Sequence, residues 1–538
     1  MPVADIVVLL AYFALVLGIG LSQRSKSASM EGFALGDRQI AWWAVLASIL
    51  AAEISAGTFF GTPGEGFALK NYTYIQLIIG YLAARVIVSC VFIPAFYKHR
   101  VVSIYEFLGN RFGPGTRRLG SAVFLVTRLL ASGTRLWVPT VIIVLIWRLA
   151  HPGQTMAPLD EFWLTGAALV LVTMATALYT TVGGIRAVIW TDVLQIGVLL
   201  AALGFSLYHL LSHIPGGWSG AHQALTGADD WRVFDSGIVD GKGFWGNVKS
   251  VLEQEYTVWA AFLGSTFVTL ATHGTDQDMV QRMLTAKNKN QSAAATILSG
   301  LADIPIAWTV LTIGILLNVY YQTNHDPLLP VDAAGNVQPN KVFPHFILTV
   351  MPAGLRGLVL AGVLATTMGS LSTALNSLAT SYVRDFHFRW FGEPPDDRGR
   401  VRALRLGTVI FAVLLISVGL ATAWVSSQHP QLRIIPIILG IFGYTYGSLL
   451  GVFMVGLFTK TRGNDFGNTL AMASGFVVVA YFSGLDRSVA GLFGGDGLPR
   501  PDWMPVIEFP WRIMFGTIVT FAVAMCFKTS VHKRTEMV

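Results

Sequence analysis

The sequence predicts an all-α protein that crosses a membrane about thirteen times, built on a core of two five-helix repeats facing opposite ways, with flanking helices, the N-terminus outside and the C-terminus inside. Three observations carry this expectation. Apolar residues make up 53% of the 538 and charged ones only 12%, with 55 glycines and a mean hydropathy of +0.59, the profile of a polytopic membrane protein and not of a large soluble enzyme. Apolar runs of about 20 residues, the length that crosses a bilayer core, recur along the whole chain. Two of these runs are interrupted by polar residues and glycine, and they stand five helices apart.

The first run, 5–22, has no basic residue before it, is followed directly by Arg24 and Lys26, and offers no clear small-residue cleavage site. It therefore reads as a retained helix and not as a signal peptide. Further runs lie near 40–68, 74–97, 118–149, 162–181, 187–211, 256–281, 293–320, 353–383, 403–427, 432–459, 466–484 and 509–528. The formal charge of +7 would point to nucleic acid in a soluble protein, but here the basic residues gather in the segments assigned to the inside, above all 98–118 and 384–405. That is the positive-inside pattern, which fixes orientation. Outside loops 212–255 and 321–345, rich in Gly, Asp, Asn and Trp, suit lids or short surface helices. The chain divides into a first flanking helix and inside loop (1–39), a first repeat (40–211), an outside loop (212–255), a second repeat (256–459), and two C-terminal flanking helices with a short tail (460–538). Cys90 and Cys526 fall inside apolar runs and read as packing.

Residues 51–66, AAEISAGTFFGTPGEG, place a carboxylate, hydroxyls, four glycines and a proline where a plain spanning helix would carry leucine. Such a helix is expected to break, and irregular backbone at membrane depth is tolerated only where it is buried in protein or lines a cavity. A second interruption, 271–278 (ATHGTDQD), opens the other set of five. Five is odd, so the two sets face opposite ways, and paired broken helices opening inverted halves point to a binding site at the midplane with alternating access. Asp192, early in the 187–211 run, is an intramembrane carboxylate and hence a functional candidate, or else an interfacial, hydrated one. Thr366, Ser370, Thr373 and Ser377 form one hydroxyl stripe at helical spacing; the stripe can supply oxygens to a hard cation or simply pack helix on helix. Glu53 at the first break is a candidate ion or solute contact, whereas Asp276 and Asp278, near Gln281-Arg282 and the inside loop, can be read as paired at the membrane edge. Arg135, with Arg128 seven residues earlier on about the same face, lies too deep to snorkel easily and wants a carboxylate from the protein, Glu53 included, or from a solute. No HExxH helix, Walker A sequence or GxSxG elbow is present, so the residues offer no soluble catalysis.

These residues resemble the sodium/solute symporter family, which includes sodium-coupled sugar, proline, sialic acid, iodide, vitamin and monocarboxylate carriers. The resemblance rests on Gly32-Phe33-Ala34-Leu35-Gly36-Asp37-Arg38, Ile54-Ser55-Ala56, Gly183-Gly184 with 187–195, Gln281-Arg282, Ser370-Leu371-Ser372-Thr373, and Gly456-Leu457-Phe458 with Lys460, in shared order over nearly the whole chain. It implies a five-plus-five inverted-repeat, LeuT-like fold. It also implies a common sodium site made of the backbone carbonyls of Ala51, Ile54 and Thr366 and the hydroxyl of Ser370. Where many relatives carry a second hydroxyl this chain has Gly369, so one ligand must come from elsewhere, such as water, Thr367 or Glu53. A second sodium site, known in some members, matches Asp192, Ser372 and Thr373. The polar contacts of the sugar branch fall at Leu77, Thr269 and Leu439, which cannot satisfy a ring of hydroxyls; the run from Ser55 to Thr58 and from Gly61 to Glu65 is more similar to the vitamin and monocarboxylate branch.

The resulting expectation is a secondary carrier in the cytoplasmic membrane, multi-pass, driven by one or two Na+ ions per cycle and importing a small organic solute, with a leaning towards a carboxylate. Its pocket candidates are Glu53, Thr58, Gln76, Arg135, Thr269, Thr272, His273 and Leu439. Its partners are the solute and the lipid bilayer, with no nucleic acid and no obligate protein partner. The alternatives are a sodium-coupled sugar or polyol carrier, proton coupling through Glu53, Asp192 or His273, and a membrane sensor module; the short tail after the last span leaves no room for a kinase domain.

Overall fold

A computed structural model describes residues 2–529 apart from 25–28, 152–153, 155, 333–334, 429–433, 493–496, 500 and 502–503. Among the described residues the regular secondary structure is helix, with isolated β-bridges and no strand. The principal helices are α1 (Val3–Ser22), α2 (Trp42–Glu53), α3 (Ala56–Leu69), α4 (Leu77–Ile87), α5 (Pro114–Arg135), α6 (Pro158–Ser212), α7 (Ser265–Gly274), α8 (Gln277–Met283), α9 (Lys289–Thr323), α10 (Leu355–Tyr382), α11 (Asp397–Gln428), α12 (Ile434–Phe458), α13 (Asp465–Ser483) and α14 (Phe509–Met525). Among the described residues nine helices are long and apolar enough to cross a bilayer, and the bent pair α2–α3 makes a tenth when taken as one span.

Among the described residues each apolar run named above falls on helix, but three of them escape that criterion for physical reasons. α6 is 55 residues long, about 80 Å at 1.5 Å per residue, far more than the ~30 Å of one hydrocarbon core. It joins the runs 162–181 and 187–211 through Gly184 (φ 57, ψ −152), a conformation open essentially to glycine alone. A side chain there would also collide with the Phe33 carbonyl, so the expected inside turn is carried by one residue. The 256–281 run is divided at the α7–α8 break, and α14 is 17 residues long.

The first break falls where the sequence places it. α2 ends at Glu53, Ile54 and Ser55 are extended (ψ 94 and 167), and the Ser55 hydroxyl accepts from the Thr58 N–H (3.4 Å) to cap α3. A serine cap of this kind satisfies one orphan amide of the new helix, and α3 leaves at 65° to α2. At the second break Asp276 is extended, and its carboxylate accepts from the Asp278 N–H (2.8 Å), capping α8.

α3 and α9 mesh backbone on backbone. A Cβ on Gly66 would run into the Leu311 carbonyl, and one on Gly314 into the Pro63 carbonyl; small residues of this kind are what allow close helix approach in membranes. α10 packs along α6 and reaches α2, α3 and α8. Most of its side chains are buried, hydroxyls included. Cys90 and Cys526, expected to pack, face outward instead.

Candidate functional site

The break between α2 and α3 opens on a small pocket, with room for about one water, lined by Ser55, Ala56, Arg128, Arg135, Thr367 and Ser370 among others. The structure thus brings together the interrupted helix, the hydroxyl stripe of α10 and the arginine of α5, which lie far apart in sequence.

Arg135 meets the π-face of Phe442, 5.0 Å from the ring centroid, and forms no ion pair with any carboxylate among the described residues. Arg128 lies over the same ring at 5.4 Å, yet it is neutralised by Asp276, which it bonds directly, and by Asp278 at 3.2 Å. The Tyr446 hydroxyl donates to the same Asp276 carboxylate (2.6 Å). Asp276 and Asp278, read from sequence as edge residues, are buried, because the turn at 275–276 carries them into the core against α5.

Glu53 does not reach Arg135. It is paired with Arg85, and His273 Nε2 stands 2.7 Å from the same carboxylate. Arg85 in turn binds Asp303 (2.6 Å) and the Ser299 hydroxyl (2.7 Å). The Thr272 hydroxyl lies 3.1 Å from His273 Nδ1, so Thr272, His273 and Glu53 form one polar chain joining the two breaks. Arg85, Ser299 and Asp303 were not singled out from sequence, although an arginine and an aspartate inside apolar runs were signals that could have found them.

On α10, the Ser370 hydroxyl donates to the carbonyls of Thr366 (3.0 Å) and Thr367 (3.1 Å), which leaves its lone pairs free to accept or to ligate. The last helical bond of α2 runs from the Ile54 N–H to Leu50 O (3.1 Å), so the carbonyls of Ala51 and Ile54 belong to an unsatisfied helix end. Unpaired carbonyls facing a hydroxyl are the donor set a hard monovalent cation takes. Asp192 is fully buried; its Oδ2 accepts from the Ser48 hydroxyl (2.5 Å) and stands 4.0 Å from Arg282 Nε. The Ser372 and Thr373 hydroxyls donate to Gly369 O (3.0 and 3.1 Å). Among the described residues no cluster of three His, Cys, Asp or Glu could hold a metal, a finding about transition-metal chemistry that leaves neutral-oxygen sodium sites open.

The other pocket candidates are placed as follows. Thr58 is at the start of α3, 3.4 Å from the Ser55 hydroxyl. Gln76 is buried and fully engaged: its amide donates to Thr73 O and Tyr256 O and accepts from the Asp235 N–H, holding the outside loop. Thr269 is buried on α7, and its carbonyl accepts from the Thr272 hydroxyl (3.4 Å). The Leu439 side chain and the tail 530–538 lie outside the described residues.

Comparison with known proteins gives these features a context. The model of the sodium:solute symporter family matches residues 33–475. The rat (Rattus norvegicus) sodium/glucose cotransporter 2 is 28% identical over 549 residues, covering 96% of this chain and 76% of that protein. The sodium/sialic acid symporter SiaT of Proteus mirabilis (strain HI4320) is 27% identical over 497 residues, covering 91% and 89%. The human (Homo sapiens) sodium-coupled monocarboxylate transporter 1 is 26% identical over 459 residues, covering 83% and 67%. A structure of a Na+-coupled sialic acid symporter in a substrate-bound, outward-open state superposes with a TM-score of 0.77 at 22% identity, covering 98% of this chain and 97% of that one. The five-plus-five architecture with paired broken helices is therefore the fold of this chain. With the family match extending over most of its length, the protein belongs to the sodium:solute symporter family and is a sodium-coupled membrane transporter, not an enzyme.

Proposed function

We propose that the protein imports a small carboxylate-bearing solute together with sodium, by alternating access across the cytoplasmic membrane. The observation that carries this reading is Arg135: a cation at membrane depth, lining the cavity at the helix break, with no carboxylate partner among the described residues while its neighbour Arg128 has two. A desolvated charge without a counterion is costly, and a solute carboxylate lowers that cost through charge-assisted hydrogen bonds to the guanidinium. The positive end of the α3 helix dipole adds a second attraction for an anion. Sodium sits, in this proposal, at the carbonyls of Ala51, Ile54 and Thr366 with the Ser370 hydroxyl, and a second ion is held near Asp192, Ser372 and Thr373. Residues 40–211 and 256–459 act as the two inverted repeats, with the N-terminus outside.

Relatives named for sugars, sialic acid and monocarboxylates are about equally similar, so the cavity has to decide the solute class. The test is uptake into proteoliposomes with and without an inward sodium gradient, against a panel of small monocarboxylates, sialic acid, glucose and galactose. Carboxylates should be taken up or compete. Arg135→Gln should lower their apparent affinity roughly 30-fold or more, the ~2 kcal/mol of a hydrogen bond to a charged group, while sodium binding persists. Competition by glucose or galactose without competition by carboxylates overturns the reading.

A further inference from the structure

The hairpin that joins α10 to α11 overhangs the membrane core. α10 runs on through the helical turns Val383–His387 and Phe388–Phe391, so that the whole span Leu355–Phe391 has 37 residues, about 55 Å at 1.5 Å per residue against the ~30 Å of a hydrocarbon core. Phe388 packs in one cluster with Val401 and Leu404 of α11, which sets the first turns of α11 beside the last turn of α10.

One exposed stripe of α11 leads from this hairpin into the membrane. Leu406, Val409 and Val413 are exposed at i, i+3 and i+7, the spacing of a single helix face, and on a spanning helix such a face meets acyl chains. Arg402 and Arg398 stand four and eight residues before Leu406, on the same face, and both are exposed. The stripe is therefore apolar along the acyl chains and doubly cationic where it leaves them, the polarity that an anionic phospholipid presents in reverse.

The neighbouring charges leave these arginines free. Residues 384–405 contain six arginines and four acids. Arg384 is engaged by Glu106 and Glu393, Arg400 by Glu393 and Asp397, and Asp385 by Arg117. Half-buried Arg405 donates to the Val182 carbonyl (3.4 Å). Glu31, on the helix Met30–Leu35 whose Met30 joins the Phe388 cluster, is engaged by Arg38 (3.1 Å). Among the described residues Arg389, Arg398 and Arg402, all exposed, have no ion pair, and Asp396 is the one acid of the segment without one.

A cationic surface alone could simply face water, and Trp390 decides against that. Trp390 and Phe391 are 61% and 73% exposed. The indole is held from behind by Phe386 (5.4 Å between ring centroids) and Tyr382 (6.4 Å), and Tyr382 in turn meets Phe411 of α11 (5.8 Å). Large aromatic side chains beside arginines at the end of a spanning helix are the composition of the membrane interface, where headgroups and upper acyl carbons cover the apolar area that water would leave bare.

We propose that this end of the α10–α11 hairpin is a binding site for an anionic phospholipid. Arg398 and Arg402 hold the headgroup phosphate by charge-assisted hydrogen bonds, Leu406, Val409 and Val413 bed an acyl chain, and Trp390 with Arg389 closes the site at the interface. A zwitterionic lipid offers the same phosphate but brings a cation of its own towards the arginines, so the site selects lipids of net negative charge. The lipid thereby braces the end of α10, the helix that lines the pocket at the first break through Thr367 and Ser370. The proposal rests on the membrane-spanning architecture and not on the solute or the sodium sites.

The test uses the purified full-length protein in a neutral detergent, titrated with phosphatidylglycerol, phosphatidylcholine or inorganic phosphate, and read by melting temperature and by the lipid retained in native mass spectrometry. Phosphatidylglycerol should raise the melting temperature and stay bound, phosphatidylcholine should act at least about tenfold more weakly, and inorganic phosphate should do nothing. Arg398→Gln and Arg402→Gln should each raise the half-saturating phosphatidylglycerol concentration about fivefold, and together about 30-fold, the effect of one and two charges at a membrane surface. Arg24→Gln with Lys98→Gln removes two exposed bases elsewhere on the same membrane face and should leave the titration within about threefold of the unmodified protein. The proposal is overturned if the Arg398 and Arg402 variants, folded without lipid, titrate like the unmodified protein, or if phosphatidylcholine binds as well as phosphatidylglycerol. It is overturned equally if the Arg24 and Lys98 changes weaken binding as much, which makes the effect one of net charge. Stabilisation by inorganic phosphate assigns the site to a soluble anion, and a dimer in light scattering that Arg398→Gln with Arg402→Gln dissociates assigns the face to a second copy of the chain; either result overturns the proposal.

Discussion

Arg85 is the side chain whose loss should cost the fold most. It is 2% exposed, and it lies between two carboxylates, Glu53 on α2 and Asp303 on α9, with the Ser299 hydroxyl completing its hydrogen bonds. Its stem also packs on Gly300, where a methyl carbon would stand 2.8 Å from the Arg85 δ-carbon. Arg85→Met keeps much of the apolar stem and removes the charge, leaving Glu53 and Asp303 with His273 as the only cation-forming group in contact with either among the described residues. Breaking a buried pair in this one-sided way costs about 3–5 kcal/mol, because the remaining charge is stranded; two carboxylates share one guanidinium here, so the upper end applies. The melting temperature of the purified protein in detergent should fall by many degrees. Asp303→Asn added to Arg85→Met should restore part of the loss, since it removes one stranded charge while keeping the shape. A melting curve for Arg85→Met within about 1 kcal/mol of the unmodified protein, or further damage from Asp303→Asn, would refute the argument that this pair of acids is held by Arg85.

Two smaller perturbations probe the ion sites by sodium activation of uptake. Ser370→Ala removes the hydroxyl proposed as a sodium ligand and should raise the half-saturating sodium concentration by about 5- to 15-fold, the ~1–1.5 kcal/mol of one neutral contact. With two ions per solute, Asp192→Ala should lower the sodium Hill coefficient towards one; a coefficient of one in the unmodified protein removes the second ion from the mechanism.

The first break was legible because it is local: Glu53, Ser55 and the glycines of 51–66 sit together in an apolar run, and the backbone departs from helix within one residue of them. The second was legible for the same reason. The counterions were not. Arg85 and Asp303 are 218 positions apart, and each alone is one polar residue in an apolar run, so only the packing of α4 on α9 shows that they neutralise each other. Asp276 and Asp278 looked like edge residues because Arg282 follows them, yet the turn at the break carries them inward to Arg128. Gly184 shows the opposite case: its turn was foreseen from Gly183-Gly184, while its backbone angles, which let two spans run on as a single helix, depend on the close approach of Phe33.

The meshing of α3 and α9 has a mechanical consequence. Helices separated by a layer of side chains can slide, because rotamers re-pair at each step, but where the carbonyls of Pro63 and Leu311 occupy the space that Gly314 and Gly66 leave empty there is no such layer to rearrange. A slip of one helical turn, ~5.4 Å, would drive main chain into main chain, so α3 and α9 must travel as one strut throughout the transport cycle. The stroke is then taken up on the other side of the break, where α2 faces α10 across the carbonyl of Ala51 and the bare face of Gly369. The strut is what can carry a displacement at that face to the far end of the molecule without losing it to local repacking.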